Sequence, residues 1–414
     1  MSTAQRLPDE LIMEIFRSEV YNHRELPSLA LVSKRYLNSV RKLIYDTVYL
    51  EIMQEEDPPE GASGFVLDFP TPNLMETLET CPHLAALVRD IECQVFPEPM
   101  EKEDEHPQDR WLWSGNEGEG TTMGTALEGI LQLTPNVTTL TFAEGYDVQA
   151  TWADLVRKYT PNLRKIQACS ISPQELKEVS NTLEFLRVRD FGVLEGLIER
   201  LELPKLTHLD IDSERLVRNE VDFLTPVFRN LRVLKVNVEI AATLDFDQMP
   251  HLEFLHLYNV DYWDRLPPSK SHIYSSASSL WKSLQLSPSL RTLGLESKPY
   301  AREWEDNLFS HGRLSKSIPT LTSLRFTDNW PLDRIASILG WNKKLSSTLE
   351  RMVLNTYLNY KNPSKMRELR AVKALCQDHQ IEVLYSTPVD PIWDPACELF
   401  INLTSRLETL FPPR

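Results

Sequence analysis

The feature that most constrains the fold of this chain is a short apolar pattern that recurs ten times. Each copy is a turn residue, usually proline or asparagine, followed by Leu-x-x-Leu-x-Φ, where Φ is apolar. The copies begin at residues 137, 163, 183, 206, 231, 252, 290, 321, 349 and 381, so they are 20 to 38 residues apart. The alternation predicts a strand with one face in a core. No single unit can bury that face alone, so neighbouring units must stack.

Most of these spacings lie in or near the period of leucine-rich repeats, which the copies therefore resemble. The asparagine or cysteine of the usual repeat is mostly missing, so the repeats are irregular. We predict an α/β solenoid over residues 71–414, an irregular leucine-rich-repeat array. Two weaker copies, around Leu74 and Leu84, begin it, and helices are expected at residues 276–286 and 332–339.

One segment interrupts the pattern. Residues 98–110 are acidic, contain two prolines and have no apolar period, and residues 115–120 alternate glycine with polar residues. Such a composition cannot bury enough apolar surface to order the chain. We predict a long exposed acidic insertion at residues 97–121.

The first fifty residues differ from the rest in charge. They contain seven basic and six acidic residues, a net charge of +1, whereas the whole chain carries −16 and the remainder therefore −17. Their apolar residues follow a helical period in three short segments, and Pro8 suits a first helical turn. We predict a small three-helix domain at residues 1–50 and a linker at residues 51–70, where Pro58-Pro59 and Gly61-Ala62-Ser63-Gly64 interrupt regular structure.

This opening segment resembles an F-box of the fungal type. The resemblance is carried by Leu7-Pro8-Asp9-Glu10-Leu11, by Ile15-Phe16 and by Leu29-Ala30-Leu31-Val32-Ser33-Lys34-Arg35-Tyr36. The tail from Arg41 to Leu50 is similar to the exit from such a domain into a first strand. Many family members have tryptophan where this chain has Tyr36.

The resemblance implies a non-catalytic substrate receptor of an SCF-type cullin–RING ubiquitin ligase. The F-box would dock on the adaptor subunit, and through it on the cullin, while the repeats would hold the protein to be ubiquitinated. The residues implied in adaptor binding, or in the small core behind it, are Leu7, Pro8, Leu11, Ile15, Phe16, Leu29, Val32 and Tyr36.

Two other interpretations of the same residues stay open. The opening segment could serve only as a helical cap, since terminal repeats need one for solubility. Alternatively, the chain could be a non-catalytic scaffold whose F-box belongs to a non-degradative assembly. An enzyme has no support, because the sequence contains no nucleophile elbow, zinc-binding His-Glu-x-x-His or phosphate-binding loop.

Composition excludes further classes of function. The charge of −16 and the sequence pI near 5.1 argue against a nucleic-acid partner, since phosphate binding needs surplus Lys and Arg. No signal peptide or membrane span is visible. The five cysteines are scattered and never spaced as Cys-x-x-Cys, which favours free thiols in a reducing compartment and no metal site. We expect a protein of the cytoplasm or nucleus, without a cofactor or metal.

The residues between the apolar positions of each strand predict a binding surface. They point away from the core, and in the middle copies they are rich in cations and aromatic residues, the usual anchors of protein interfaces. We predict a concave surface for an acidic or phosphorylated protein segment, centred on Arg187, Arg189, Phe254, His256 and Tyr258. The alternative is that these are ordinary solvated strand residues, because an error of one residue in register would invert every assignment.

Overall fold

The computed structural model describes residues 34–54, 65–67, 71–97, 123–142, 152–171, 176–177, 179, 181–190, 202–211, 225–258, 279–296, 317–327, 332–341, 348–355 and 363–386. The chain divides into two compact units, residues 1–198 and residues 199–414. The repeat pattern continues through this boundary, so no sequence signal predicted it.

The first unit is built on parallel strands joined by helices. Its described elements are α1 (Lys34–Asp46), β1 (Thr47–Gln54), β2 (Phe65–Leu67), α2 (Thr71–Thr80), α3 (Pro82–Ala85), β3 (Asp90–Pro97), α4 (Met123–Leu133), β4 (Thr139–Phe142), α5 (Trp152–Tyr159), β5 (Lys165–Ser170) and β6 (Phe185–Asp190). The strands lie in the order β6-β5-β4-β3-β1-β2. Strands β1 and β3 to β6 are parallel, and β2 is antiparallel to β1.

The second unit repeats the same arrangement. Its described elements are β7 (His208–Ile211), α6 (Thr225–Phe228), β8 (Val233–Asn237), α7 (Val238–Ala241), a 3₁₀ turn (Phe246–Gln248), β9 (Phe254–Tyr258), β10 (Thr292–Glu296), β11 (Ser323–Thr327), α8 (Leu332–Trp341), β12 (Arg351–Asn355), α9 (Pro363–Asp378) and β13 (Glu382–Ser386). These strands follow one another in chain order and are parallel. Each unit is thus a solenoid-like α/β array, as the repeats predicted.

The apolar positions of the pattern form the core of each unit. The first position of every copy is buried: Val137, Leu163, Leu183, Leu206, Leu231, Leu252, Leu290, Leu321, Leu349 and Ile381. The fourth position is buried as well: Leu140, Ile166, Leu186, Leu209, Leu234, Leu255, Leu293, Leu324, Met352 and Leu384. The helix predicted at residues 332–339 is α8, and residues 279–284 of the other predicted helix are helical.

The turn before each strand joins neighbouring repeats through hydrogen bonds. In the first unit, the Thr138 carbonyl accepts from the backbone N–H groups of Arg164 and Lys165, at 2.8 and 3.0 Å. The same two-donor arrangement recurs at later turns in both units. Because the described strands that share this arrangement each start on a carbonyl of the preceding turn, they begin at a common edge within their unit and their side chains stay in register.

Polar side chains reinforce these turns. The residue before the first apolar position donates to a carbonyl of the preceding repeat: Asn136 Nδ2 to Ala86 O at 2.9 Å, Asn230 Nδ2 to Pro204 O at 3.1 Å, and Ser289 Oγ to Pro250 O at 2.7 Å. Each bond satisfies a carbonyl that no helix or strand uses. The Pro/Asn turn of the sequence pattern therefore has a structural role of its own.

The array begins earlier than predicted. Strand β1 extends from Thr47 to Gln54 and pairs with β3 along its whole length, across the predicted boundary at residue 50. Residues 51–54 and 65–67, which we assigned to the linker, lie in β1 and β2. The reason is that Val48 and Leu50 already alternate as core residues, both buried. Residues 55–64 of the linker and 98–121 of the acidic insertion are outside the described residues.

The two weak copies at Leu74 and Leu84 are not strands. Leu74 lies in α2 and Leu84 in α3. The repeat in this region instead starts at Val88, which is buried, and leads into β3 at Asp90. The apolar residues of α2 and α3 have a spacing similar to that of the Leu-x-x-Leu strand pattern, although they lie in helices.

The last strand is offset by one residue. Met352 of β12 pairs with Val383, so Leu384, the fourth position of its copy, pairs with Val353. Val353 and Leu384 form a small buried cluster of their own. The turn before β13 differs from the others because Gln380, two residues after the end of α9, has a φ of 59°, and Ile381 N donates back to Cys376 O at 2.8 Å. A left-handed helix end thus replaces the proline turn and moves the strand by one position.

We expect the substitution Leu255→Ala to lower the free energy of unfolding by about 2–5 kcal/mol, because it leaves a cavity in the core of the second unit. Glu253→Ala, two residues earlier, removes only an exposed ion pair with Arg232 and should cost less than about 1 kcal/mol. Urea unfolding followed by tryptophan fluorescence measures both. Equal effects of the two substitutions would contradict the assignment of core and surface.

Candidate functional site

The strand face is the side of each sheet that carries the residues between the buried apolar positions. Alternation along a strand fixes its members, and register aligns them across neighbouring strands. Each unit has a strand face, and the two faces differ in chemistry.

In the second unit, the middle of the strand face is a row of residues from successive strands. The row, partner by partner, is Asp210, Lys235, His256, Gly294 and Arg325. Asp210 is 0% exposed, Lys235 7% and His256 2%. Charged groups at such low exposure need compensation, because burial removes their hydration.

Opposite charges supply that compensation. Lys235 Nζ lies 3.8 Å from Asp210 Oδ2 and 4.0 Å from Glu296 Oε2. His256 Nε2 lies 3.1 Å from the same Glu296 oxygen. The four side chains form a chain of carboxylate, ammonium, carboxylate and imidazole, in which each carboxylate faces a donor. We call it the buried charge network.

Gly294 makes room for the imidazole of this network. A Cβ atom at Gly294 would lie 2.4 Å from His256 Nδ1 and 3.0 Å from His256 Cγ. The ring therefore lies directly against the backbone of β10, which only glycine permits at this position. This close approach directs the opposite edge of the ring, with Nε2, to Glu296.

Aromatic side chains surround the network. The rings of Phe254 and His256 meet edge to face at 6.3 Å, and the Arg325 guanidinium lies 5.1 Å from the centre of the Phe254 ring. Lys235 Nζ is 6.0 Å from the centre of the Tyr258 ring. The Tyr258 hydroxyl is itself buried and donates to the Ile211 carbonyl. These contacts fix the side chains at low exposure and lower the local dielectric.

The strand face of the first unit is more open. Its two rows are Thr47, Asp90, Thr139, Lys165 and Phe185, and Tyr49, Glu92, Thr141, Gln167 and Arg187. Nine of these ten side chains are half-buried, and Lys165 is exposed. Burial raises the pKa of Asp90, while a hydrogen bond from Thr139 and the positive charge of Lys165 lower it in part.

The residues predicted to bind a partner fall in both units. Arg187 is half-buried on the strand face of the first unit, and Arg189 lies in β6, where its side chain is not described. In the second unit Phe254 is half-buried, whereas His256 and Tyr258 are buried. Phe254, His256 and Tyr258 do share the strand face, as the alternation predicted. The side chains of His256 and Tyr258, however, are buried beneath its surface. The binding role itself stays a prediction.

The residues implied in adaptor binding lie almost entirely outside the described part of the chain. Leu7, Pro8, Leu11, Ile15, Phe16, Leu29 and Val32 precede residue 34. Tyr36 lies in α1, where its side chain is not described. The helix predicted from the spacing of Tyr36, Val40 and Ile44 is α1.

Sequence reasoning did not single out the buried charge network. Asp210 and Lys235 were identifiable as strand-face positions, but nothing in their residue types distinguished them from solvated charges. Gly294, Glu296 and Arg325 occupy the corresponding positions of later copies, where the same alternation would have located them. The signal that could have identified the network is strand register, because aligning three successive copies places Asp210, Lys235 and His256 in one row.

The network is better suited to structure than to catalysis. A histidine oriented by a carboxylate is also the arrangement of a general base, but a base must reach its substrate, and His256 is 2% exposed. Among the described residues, no group of three or more His, Cys, Asp or Glu is placed to hold a metal ion. In the same residues, no helix has the length and apolar character required to cross a bilayer.

Two described thiols are unreactive by position. Burial raises the pKa of Cys93 to about 12, with a smaller contribution from the Glu92 carboxylate, and burial raises the pKa of Cys376 to about 11. Both shifts disfavour the thiolate, which is the form that reacts with electrophiles. Neither thiol suits a nucleophile.

We expect Cys93 and Cys376 to resist alkylation in the native protein. Iodoacetamide at pH 8, followed by peptide mass spectrometry, should label the half-buried Cys81 before either of these two thiols. Labelling of the two buried thiols should begin only when the protein is unfolded in urea. Rapid native labelling of Cys93 would show that its strand opens readily.

The substitution Gly294→Ala should destabilise the second unit by about 1–3 kcal/mol, because the new methyl group must displace the His256 ring. The double variant Gly294→Ala/His256→Ala removes the obstructed ring, so the two substitutions should cost less together than the sum of their separate effects. Thermal unfolding of the four proteins in this cycle measures the coupling. Additive effects would mean that the ring and the glycine do not constrain each other.

Comparison with known proteins gives no family for the chain: no protein-family model matches it, and no curated protein matches it.

Proposed function

We propose that this chain is the substrate-recognition subunit of an SCF-type cullin–RING ubiquitin ligase, an F-box of the fungal type followed by an irregular leucine-rich-repeat array. The observation that carries the proposal is the junction between the two. Helix α1, the last helix of the F-box resemblance, ends at Asp46 and β1 begins at Thr47, without an intervening loop. Val40 and Leu43 of α1 are buried. The F-box-like segment thus continues directly into the array.

A direct junction suits a receptor. Ubiquitin transfer requires a substrate to be held at a reproducible position relative to the ligase, and a helix that runs into the first strand transmits position better than a flexible linker. In this proposal the repeats contribute a surface and no chemistry, and the protein needs no cofactor. Its partners are the adaptor subunit, through it the cullin, and a protein substrate, in the cytoplasm or the nucleus.

The strand faces have different roles in this proposal. Arg187 lies on the strand face of the first unit among half-buried polar side chains, which suits contact with a substrate, and Arg189, also in β6, is proposed to contribute to the same contact. In the second unit Phe254 is half-buried and contributes contact area, while His256 and Tyr258 support it from the interior.

A helical cap is the second candidate role for the opening segment, and one observation favours it. Val40 and Leu43 are buried within the first unit, as expected if α1 closes the end of the array. A cap needs only these residues, whereas a receptor also needs the Leu-Pro-Asp-Glu-Leu segment. The two candidates therefore differ in what residues 7–11 do.

The adaptor interaction can be tested with the purified chain and the purified SCF adaptor subunit. The double variant Leu7→Ala/Pro8→Ala should lose at least about tenfold in affinity, because it removes apolar groups expected to be buried at the centre of the interface. Lys42→Ala, an exposed change on α1, is the matched control and should bind like the wild type. Binding by calorimetry gives both values.

Absence of binding by the wild-type chain would exclude the receptor and favour the cap. Binding without any protein that accumulates when the gene is deleted would favour the scaffold. The receptor would be supported by a protein that the wild type captures when the proteasome is blocked and that the Leu7→Ala/Pro8→Ala variant still captures. Only the wild type should connect this protein to the ligase.

A further inference from the structure

The strand face of the first unit has an uneven distribution of charge. Among the ten residues of its two described rows, the carboxylates, Asp90 and Glu92, both belong to β3, while the cations, Lys165 and Arg187, belong to β5 and β6. Between them, β4 contributes only threonines, at positions 139 and 141. Register places the four charged residues in the two adjacent rows, so the face has an acidic side and a basic side.

Three of these four charged residues, Asp90, Glu92 and Arg187, are half-buried, and Lys165 is exposed. Asp90 is half-buried, and burial raises its pKa although Thr139 and Lys165 act in the opposite direction. Charges in such partly desolvated surroundings interact more strongly with a ligand than fully hydrated charges do. Tyr49 and Phe185, on β1 and β6, are half-buried aromatic residues on either side of the charged strands.

The distances suit an extended peptide. Neighbouring strands are about 4.8 Å apart, so β3 lies about 10 Å from β5 and about 14 Å from β6. An extended chain advances about 3.3 Å per residue. A peptide that crosses the strands would therefore place two side chains three or four positions apart over the acidic and the basic side. The carboxylates of β3 would repel a nucleic acid backbone, which excludes that alternative.

We infer that this face binds an extended protein segment that crosses β3 to β6 and carries a basic residue three or four positions from an acidic or phosphorylated one. The inference names the kind of segment that the substrate of the proposed receptor would present, and to that extent rests on the proposed function. Binding itself requires only the face. Basic side chains pair with Asp90 and Glu92, and the anionic group pairs with Lys165 and Arg187, an arginine being suited to two-point recognition of carboxylate or phosphate.

A peptide array tests this inference on the purified full chain without any ligase subunit. Each peptide has a neutral Thr/Ser/Gly background, one Lys, and one Asp or phosphoserine at an offset of one to seven positions, in both orders. We expect binding to peak at offsets of three and four and in one of the two orders. The Asp and phosphoserine series distinguish a permanently acidic signal from one created by phosphorylation.

Charge reversal provides the decisive comparison. The variant Arg187→Glu should reduce binding of the best peptide at least about tenfold. The double swap Glu92→Lys/Arg187→Glu should bind the opposite order of charges. Arg164→Glu and Glu184→Lys are matched controls, because these exposed residues pair with each other at 3.6 Å at the turn, outside the two rows. If Arg187→Glu fails to fold by thermal melting, Arg187→Gln replaces it.

The outcomes are separable from those of the proposed function. Equal signal at all offsets, no binding of any peptide, or an unchanged order preference in the double swap would overturn the inference even if the adaptor binds. A peak at offsets of three and four that reverses in the swap would support it even if the Leu7→Ala/Pro8→Ala variant and the wild type both fail to bind the adaptor.

Discussion

The stacking of one buried apolar strand on the next is the interaction on which both units depend. In the ten repeats a leucine or its equivalent is buried at the start of the strand, and at the described turns within each unit a carbonyl of the turn accepts the first backbone hydrogen bonds of the following strand. Burial and hydrogen bonding thus act at the same place. A repeat gains both only when its neighbour is present, and this makes the array cooperative along its length.

Because the strands start at a common edge, register decides what each strand face contains. Three successive strands of the second unit place Asp210, Lys235 and His256 in one row, and Gly294 leaves space for the imidazole. The outcome is an ion network in the interior of the unit. In the first unit the same rule aligns threonines between two carboxylates and two cations, and that face stays half-buried. One backbone plan therefore yields a largely buried row of charges in one unit and a largely half-buried face in the other.

The sequence predicted the features that follow from the repeat period, namely the strands and their buried positions. It did not predict the features that depend on local backbone geometry or on contacts between distant residues. Ten first positions, from Val137 to Ile381, are buried as the alternation required, since each is repeated often enough for the pattern to be unambiguous. The start of the array was misplaced because β1 precedes the composition change that marked the linker. The offset of β13 depends on the positive φ of Gln380, which no periodicity records. The low exposure of His256 depends on partners in other strands, which are distant in the chain.

Helix α1 is compatible with both interpretations of the opening segment, a helical cap and an F-box that docks on an adaptor. Its residues Val40 and Leu43 are buried, as a cap on a stack of repeats would require. Most of the residues that carry the F-box resemblance lie before residue 34, while Lys34, Arg35 and Tyr36 lie in the first turn of the helix and the similar tail begins at Arg41. A cap and the proposed adaptor docking would therefore depend largely on different side chains of one segment. A cap alone requires apolar residues at helical spacing after residue 36, but it places no demand on a Leu-Pro-Asp-Glu-Leu sequence thirty residues before it, and that sequence is what a receptor requires.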